Sequence, residues 1–133
     1  MKTLTCSAAL LAAALLAACG ESGGTPAQAS PGVLTVSLAA PVAGDRALVI
    51  AITGPGQVSE VQPAVPGYTA FARTQGTGAR VAVMGAIAAG PVLRITVPDV
   101  RQAKQYQAAV VDAADGGNTA RASMAAYSLT VSR

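Results

Sequence analysis

Short runs in which apolar and polar side chains alternate recur through residues 33–133, and they constrain the fold more than any other feature. Successive side chains of a β-strand point to opposite faces, so alternation with a period of two predicts strands. The clearest runs are 34–38, 47–52, 80–87, 92–97 and 127–132. The run at 47–52 is apolar on both sides, which predicts a central strand.

Residues that favour turns separate these runs. They lie at 41–45, 54–56, 63–67, 75–78, 89–91, 98–99 and 115–118. Glycine in them tolerates positive φ and proline fixes φ, so each position predicts a change of chain direction. Strands spaced by about 8–12 residues predict an all-β fold, which over 33–133 is a single antiparallel sandwich of two sheets.

The segment 100–114 has two interpretations. It contains good helix formers and neither Gly nor Pro, and a helix would place Val100, Ala103, Tyr106 or Gln107, and Val110 on one face. Alternatively, a short turn at 101–104 enters a strand at 106–111. The strand is favoured because the sheets need pairing partners.

The N-terminal residues predict a secretory signal. Met1-Lys2 supplies a positive charge, and 4–18 is apolar apart from Thr5, Cys6 and Ser7. A stretch of this length is shorter than the roughly 20 residues that span a bilayer, but it fits the core of a signal helix.

Leu16-Ala17-Ala18-Cys19 resembles the lipobox of bacterial lipoproteins. The resemblance implies that a diacylglyceryl group is attached to the Cys19 thiol and that the signal peptide, 1–18, is cut off between Ala18 and Cys19. The alternative is an ordinary signal peptide that is cut after Ala27 or Ala29. The lipoprotein interpretation predicts a membrane anchor on Cys19 without a spanning helix.

The residues after Cys19 predict a tether and a location. The segment 20–32 is rich in Gly, Ser and Pro and has no large hydrophobic residue, so 19–32 is expected to form a flexible tether with a reach of roughly 20 Å. Gly20, with no Asp at that position, resembles lipoproteins sent to an outer membrane. The expected location is the bacterial cell envelope, with the outer membrane favoured over the inner one.

Two motifs of the sandwich region resemble immunoglobulin-like and cohesin-like extracellular domains. They are Gly44-Asp45-Arg46-Ala47-Leu48-Val49-Ile50 and Gly90-Pro91-Val92-Leu93-Arg94-Ile95. Cohesins bind dockerin modules through one sheet face. No residue of that contact is carried over to this chain.

Composition argues against catalysis. The chain contains no His, and both Cys lie in the N-terminal segment, which removes the commonest general base and a thiol nucleophile. Lys104 is the only lysine after the signal, and the arginines are scattered singly, so nucleic acid is not an expected partner. The chain has six carboxylates but no tryptophan to bind a sugar ring, and a two-layer sandwich of this size leaves little room for a deep cleft. We expect no catalytic residue and no cofactor.

Asp112, Asp115 and Asn118 are the only candidates for a metal site. Carboxylates and amides suit a hard cation such as Ca²⁺, but the spacing departs from that of an EF-hand. The favoured alternative is a turn in which Asp115 and Asn118 bond to the backbone and 116–117 adopt positive φ. No metal is therefore predicted.

The expected function is that of a lipid-anchored, non-catalytic binding, adhesion or accessory module with a protein partner in the envelope. High alanine content and low charge favour a surface that faces protein. Tyr68 and Phe71 could form an exposed contact patch, although core or sheet-edge packing is favoured. The alternatives are a structural subunit of a membrane-protein complex and a small hydrolase that uses Asp112 or Asp115.

Overall fold

A computed structural model describes residues 27–39 and 41–133. They form eight strands and one short 3₁₀ helix. The strands are β1 (Gly32–Leu38), β2 (Asp45–Thr53), β3 (Glu60–Pro63), β4 (Thr69–Gln75), β5 (Gly78–Met84), β6 (Gly90–Val97), β7 (Gln107–Asp115) and β8 (Leu129–Ser132), and the helix is Val100–Gln105. Within these residues, no helix is long and apolar enough to cross a membrane.

The strands form two four-stranded antiparallel sheets. Sheet 1 has the order β3-β6-β1-β8 and sheet 2 the order β4-β5-β2-β7. The predicted all-β sandwich of two sheets is confirmed. The expectation of a central strand at 47–52 is also confirmed, because β2 pairs with β5 on one side and with β7 on the other.

The core lies between the sheets and is built by alternate residues of the inner strands. Leu34, Val36, Leu48 and Ile50 have no exposed surface, and residues between them point outward. Removing a buried Leu or Ile side chain typically costs about 2–5 kcal/mol, so this apolar layer dominates the stability of the domain.

Two strands were not predicted, β3 and β4. Both are edge strands whose side chains are mostly exposed, so neither carries the alternation by which strands are recognised. The last predicted strand is also corrected: β8 begins at Leu129, and Tyr127 lies in the turn before it. Ile87 lies outside β5 but packs against the core.

The segment 100–114 follows the strand interpretation, with a 3₁₀ helix in place of the expected turn at 101–104. Its first residues form the 3₁₀ helix, whose N-terminus is capped by the Asp99 side chain accepting from the Arg101 N–H at 3.1 Å. Its remaining residues form β7, which confirms the favoured strand and extends it to Asp115. A 3₁₀ turn followed by a strand lets one sequence use its helix formers and still pair with β2.

The end of the predicted tether joins the domain. Gly32 begins β1, the Val100 N–H donates to the Ser30 carbonyl at 2.8 Å, and Arg101 donates to the Ala27 carbonyl at 3.2 Å. The predicted signal peptide, the lipobox, Cys19 and the first part of the tether lie outside the described residues.

Candidate functional site

The outer face of sheet 2 is mostly apolar, whereas the outer face of sheet 1 is mostly polar, with Val33 as its large exposed hydrophobic residue. In sheet 1 the positions between the core residues carry mainly hydroxyl, amide and charged side chains, namely Thr35, Ser37, Glu60, Gln62, Arg94, Thr96, Thr130 and Ser132. In sheet 2 the corresponding positions carry mainly small or apolar side chains. We call the following set the alanine-rich face: Ala47, Val49, Ala51, Phe71, Ala82, Met84, Ala109, Val111 and Ala114.

The strand register sets the layout of the alanine-rich face. Its middle row runs from Phe71 on β4 through Ala82 and Val49 to the bulge at Val111 and Asp112 on β7. Phe71, Met84 and Val111 are the most exposed of its large side chains, at 60%, 43% and 40%. Small side chains, mostly alanine, therefore form the middle of the face, and the larger side chains of Phe71 and Val111 protrude on its two sides.

Phe71 and Tyr68 have different surroundings, although both were expected to pack in the core or at a sheet edge. Tyr68 packs against the core, and its hydroxyl accepts from the Ala88 N–H at 3.0 Å. Phe71 lies on the edge strand β4 with most of its ring in solvent. Phe71 therefore lies at the sheet edge, as expected, but its side chain is exposed and does not pack against the core.

Two arginines border the alanine-rich face at the row next to Phe71. Arg73 and Arg80 lie directly opposite each other on β4 and β5. The ion pairs of the described residues are Arg101–Asp99 and Arg121–Asp45, so neither arginine of this row has a carboxylate partner there. Like charges directly across a strand pair are unfavourable, and this row therefore has a positive potential.

An open hollow of about 230 Å³ lies where β7 meets the face. It is lined by Ala47, Val49, Asp112, Ala113, Ala114, Asn118 and Ala120. Asp112 is its only carboxylate, and its Oδ1 accepts from the Ala113 N–H at 2.9 Å. The hollow is otherwise apolar or amide, which suits a small apolar side chain of a partner more than a charged ligand.

The candidate metal residues are not gathered around one point. Asp115 Oδ1 accepts from the backbone N–H groups of Gly117 and Thr119 at 2.9 and 3.0 Å, and it is not among the residues that line the hollow. These N–H groups, with that of Thr119 first, hold the pKa of Asp115 below its usual value. Positive φ was predicted for 116–117, but in this turn Asn118 adopts it, at 64°. In the described residues no group of three His, Cys, Asp or Glu side chains could hold a metal ion.

A buried charged cluster fixes the chain beside the hollow. The Asp45 side chain is fully buried, Arg121 Nε donates to its Oδ1 at 2.8 Å, and the Tyr127 hydroxyl donates to its Oδ2. Burial, followed by the hydrogen bond to Asp45, raises the pKa of Tyr127 to about 12. The hydrogen bond to Asp45 also raises the pKa of Arg121. The cluster holds the connection between β7 and β8 across the end of β2, so its role is structural.

The comparisons with known proteins add nothing to this geometry. No family model, curated protein or solved structure matches the chain.

Sequence reasoning missed both the Asp45 cluster and the layout of the alanine-rich face. Asp45 was placed in a turn and Arg121 among the scattered arginines, because 76 residues separate them and no local pattern joins them. The face did leave a signal, since 47–52 is apolar on both sides. That signal predicts a central strand, which β2 is, but it does not reveal that one side of the strand faces solvent.

Proposed function

We propose that this chain is a lipid-anchored, non-catalytic module of the bacterial cell envelope that binds a protein partner on its alanine-rich face. The observation that carries the proposal is the apolar outer face of sheet 2. Antiparallel sheets commonly direct polar residues to water, as sheet 1 does, and a contiguous exposed apolar patch typically marks an interaction site.

The size of the face supports a particular kind of interaction. The nine residues of the face lie on strands about 4.8 Å apart, with outward positions about 7 Å apart along each strand, and cover about 300 Å². One side of a standard protein interface is about 800 Å². A partner that contacts this face alone would bind weakly, so the contact would include its border, where Arg73 and Arg80 lie.

The membrane part of the proposal is supported by the lipobox. Two or more acyl chains on the N-terminal cysteine would hold the domain stably at a lipid surface. Mass spectrometry of the native protein tests this part: the N-terminal peptide should begin at Cys19 and carry diacylglycerol. A peptide that begins downstream of Cys19 without added acyl mass would refute the anchor and leave the binding face untouched.

The absence of catalysis is supported by the chemistry of the surfaces. The chain has no His, the hollow holds one carboxylate, and backbone N–H groups occupy Asp115. Enzymes that hydrolyse glycosidic bonds, by comparison, typically use a pair of carboxyl groups on either side of a cleft, and the hollow offers one.

Site-specific crosslinking in cells tests the binding face. A photo-crosslinking amino acid at Val49 should capture a protein partner, and the same amino acid at Thr35 should not. The two positions are a matched pair, because each is half-buried and points outward from an inner strand. Equal capture from both positions would contradict the proposal.

A substitution pair supplies the second test. Ala82→Arg places a long charged side chain at the centre of the alanine-rich face and should abolish capture from Val49. Ser37→Arg places the same side chain on the outer face of sheet 1 and should leave capture unchanged. Persistence of the captured partner in the Ala82→Arg variant would mean that the partner passes near Val49 without binding the centre of the alanine-rich face, which would contradict the proposal.

A further inference from the structure

Of the four sheet edges in the described residues, three are protected against pairing with another chain. β3 has four residues, including Glu60 and Pro63, and β8 also has four residues. β7 has a bulge, and the segment after it covers its end through the Ala114–Ala120 bridge and the bond from the Arg121 N–H to the Ala113 carbonyl. Short strands, proline, charges and bulges are the usual means by which proteins block edges.

The fourth edge, β4, has none of these protections apart from the single charge of Arg73. Its seven residues, TAFARTQ, pair with β5 in unbroken register, without a bulge and without proline. Six of the seven residues are exposed. Its free side is a regular row of backbone groups, which is the template for adding a strand.

The turn before β5 fixes which backbone groups face the free side. Gln75 and Gly78 flank a two-residue loop in which Gly76 has a φ of 58°, so the Gln75 carbonyl faces β5. Backbone groups alternate in direction along an antiparallel strand. Ala70, Ala72 and Thr74 therefore direct their N–H and C=O groups to the free side.

We propose that β4 pairs antiparallel with β4 of a second copy, about a twofold axis at Ala72, and joins the two copies of sheet 2 into one eight-stranded sheet. The axis places Ala72 opposite Ala72 and Ala70 opposite Thr74 of the second copy. These are the residues whose backbone groups face the free side, so three pairs exchange six hydrogen bonds. An axis at Phe71 or Arg73 would leave two such pairs within β4 instead of three, and an axis at Arg73 would also place that charge opposite its own copy.

The same register is complementary on the outer side. It sets Phe71 opposite Arg73 of the second copy, twice in each dimer, in the closely spaced type of pair. A guanidinium over an aromatic ring is attracted to its face, which offsets the unfavourable position of Arg73 opposite Arg80. The alanine-rich faces of the two copies become continuous, and together with the border positions of Arg73 and Arg80 they cover about 800 Å², the size of one side of a standard interface.

Cysteine crosslinking tests the register in the full chain, produced with its own N-terminal segment in bacterial cells. Residues of a hydrogen-bonded pair have Cα atoms about 5.5 Å apart, within the range of a disulfide. Ala72→Cys should therefore give a disulfide-linked dimer on a non-reducing gel. Thr74→Cys and Ala70→Cys should not, since each lies about 13 Å from its own copy.

The double variant Ala70→Cys with Thr74→Cys should restore the crosslink, because the cysteine at position 70 of one copy then lies opposite the cysteine at position 74 of the other. The precursor of every variant contains Cys6 and Cys19, so the unsubstituted chain and the single variants control for crosslinks through those thiols. The proposal is overturned if Ala72→Cys gives no dimer, if it links to a different protein, or if Thr74→Cys links as well as Ala72→Cys does.

Sedimentation of the detergent-extracted chain gives an independent measurement. Ala72→Pro removes an N–H that β5 does not use, so the domain should keep its strand content by circular dichroism and sediment as a monomer. Phe71→Ala removes both aromatic contacts and should raise the dissociation constant of the dimer by about tenfold. A dimer unaffected by Ala72→Pro would refute pairing through β4, while crosslinking from Val49 would still report on the partner face.

Discussion

Sheet 1 and sheet 2 each contain four antiparallel strands, and each turns one side toward the same core. Their other sides differ. Sheet 1 presents Thr, Ser, Gln, Glu and Arg to solvent, whereas sheet 2 presents alanines, Val49, Phe71 and Met84. The inward residues alone build the core, so the proposed function attributes the difference between the outer sides to what each side contacts outside the domain.

The largest expected effect separates the two sides of one strand. On β2, Ile50 has no exposed surface and Val49 is half-buried on the alanine-rich face. Ile50→Ala should lower the free energy of unfolding by about 2–5 kcal/mol, whereas Val49→Ala should lower it by less than about 1 kcal/mol. Urea unfolding followed by circular dichroism measures both. Similar losses would mean that the alanine-rich face is covered within the folded chain.

The second prediction compares the two Asp–Arg pairs. The Asp45 side chain is fully buried and Arg121 is 27% exposed, whereas Asp99 and Arg101 are 12% and 40% exposed. Asp45→Ala leaves Arg121 and the Tyr127 hydroxyl without their acceptor and should cost about 2–4 kcal/mol. Asp99→Ala should cost less, because water can solvate Arg101. Thermal unfolding of the two variants checks the order, and an equal loss would contradict the structural role of the Asp45 cluster.

The sequence predicted the parts of the fold that depend on burial. Leu34, Val36, Leu48 and Ile50 alternate with outward residues because a strand has one inward side, and this local rule suffices to find the inner strands. The edge strands β3 and β4 escaped it because exposed residues are not selected for alternation. The 3₁₀ helix was anticipated only as a turn at 101–104.

The candidate site was less predictable, because it depends on which strands are neighbours. Phe71, Ala82 and Val49 form one row only when β4, β5 and β2 are placed side by side, and no spacing along the chain encodes that order. The same applies to Asp45 and Tyr127, which are 82 residues apart. The high alanine content favours a surface that contacts protein, but composition alone does not assign the alanines to one sheet.

The third prediction concerns pH. The pKa of Tyr127 is raised to about 12, so the folded state favours the neutral phenol. The stabilisation is complete below the ordinary tyrosine pKa of about 10 and is lost as the pH rises through about 12. The free energy of unfolding should therefore fall between these pH values, and Tyr127→Phe should lack this part of the decrease. Parallel curves for the two proteins between pH 9 and 12 would contradict the assignment.

The smallest expected effect compares one residue type on the two outer faces. Arg80 lies opposite Arg73, whereas Arg94 of sheet 1 lies between Thr35 and Gln62. Arg80→Gln should raise the free energy of unfolding by about 0.2–1 kcal/mol, because it removes a like-charge pair, and Arg94→Gln should change it little. Both are measured in the Ala72→Pro background, in which the proposed dimer is absent.

Salt distinguishes this explanation from a change in packing. At about 1 M salt the Debye length is only about 3 Å, so the repulsion between Arg73 and Arg80 is screened and the gain from Arg80→Gln should shrink. A gain that persists at high salt would assign the effect to packing on the alanine-rich face. A pair of arginines that lowers the stability of the free domain is consistent with a surface whose charges contact a binding partner. A larger effect of Arg80→Gln than of Arg94→Gln would place that surface on sheet 2.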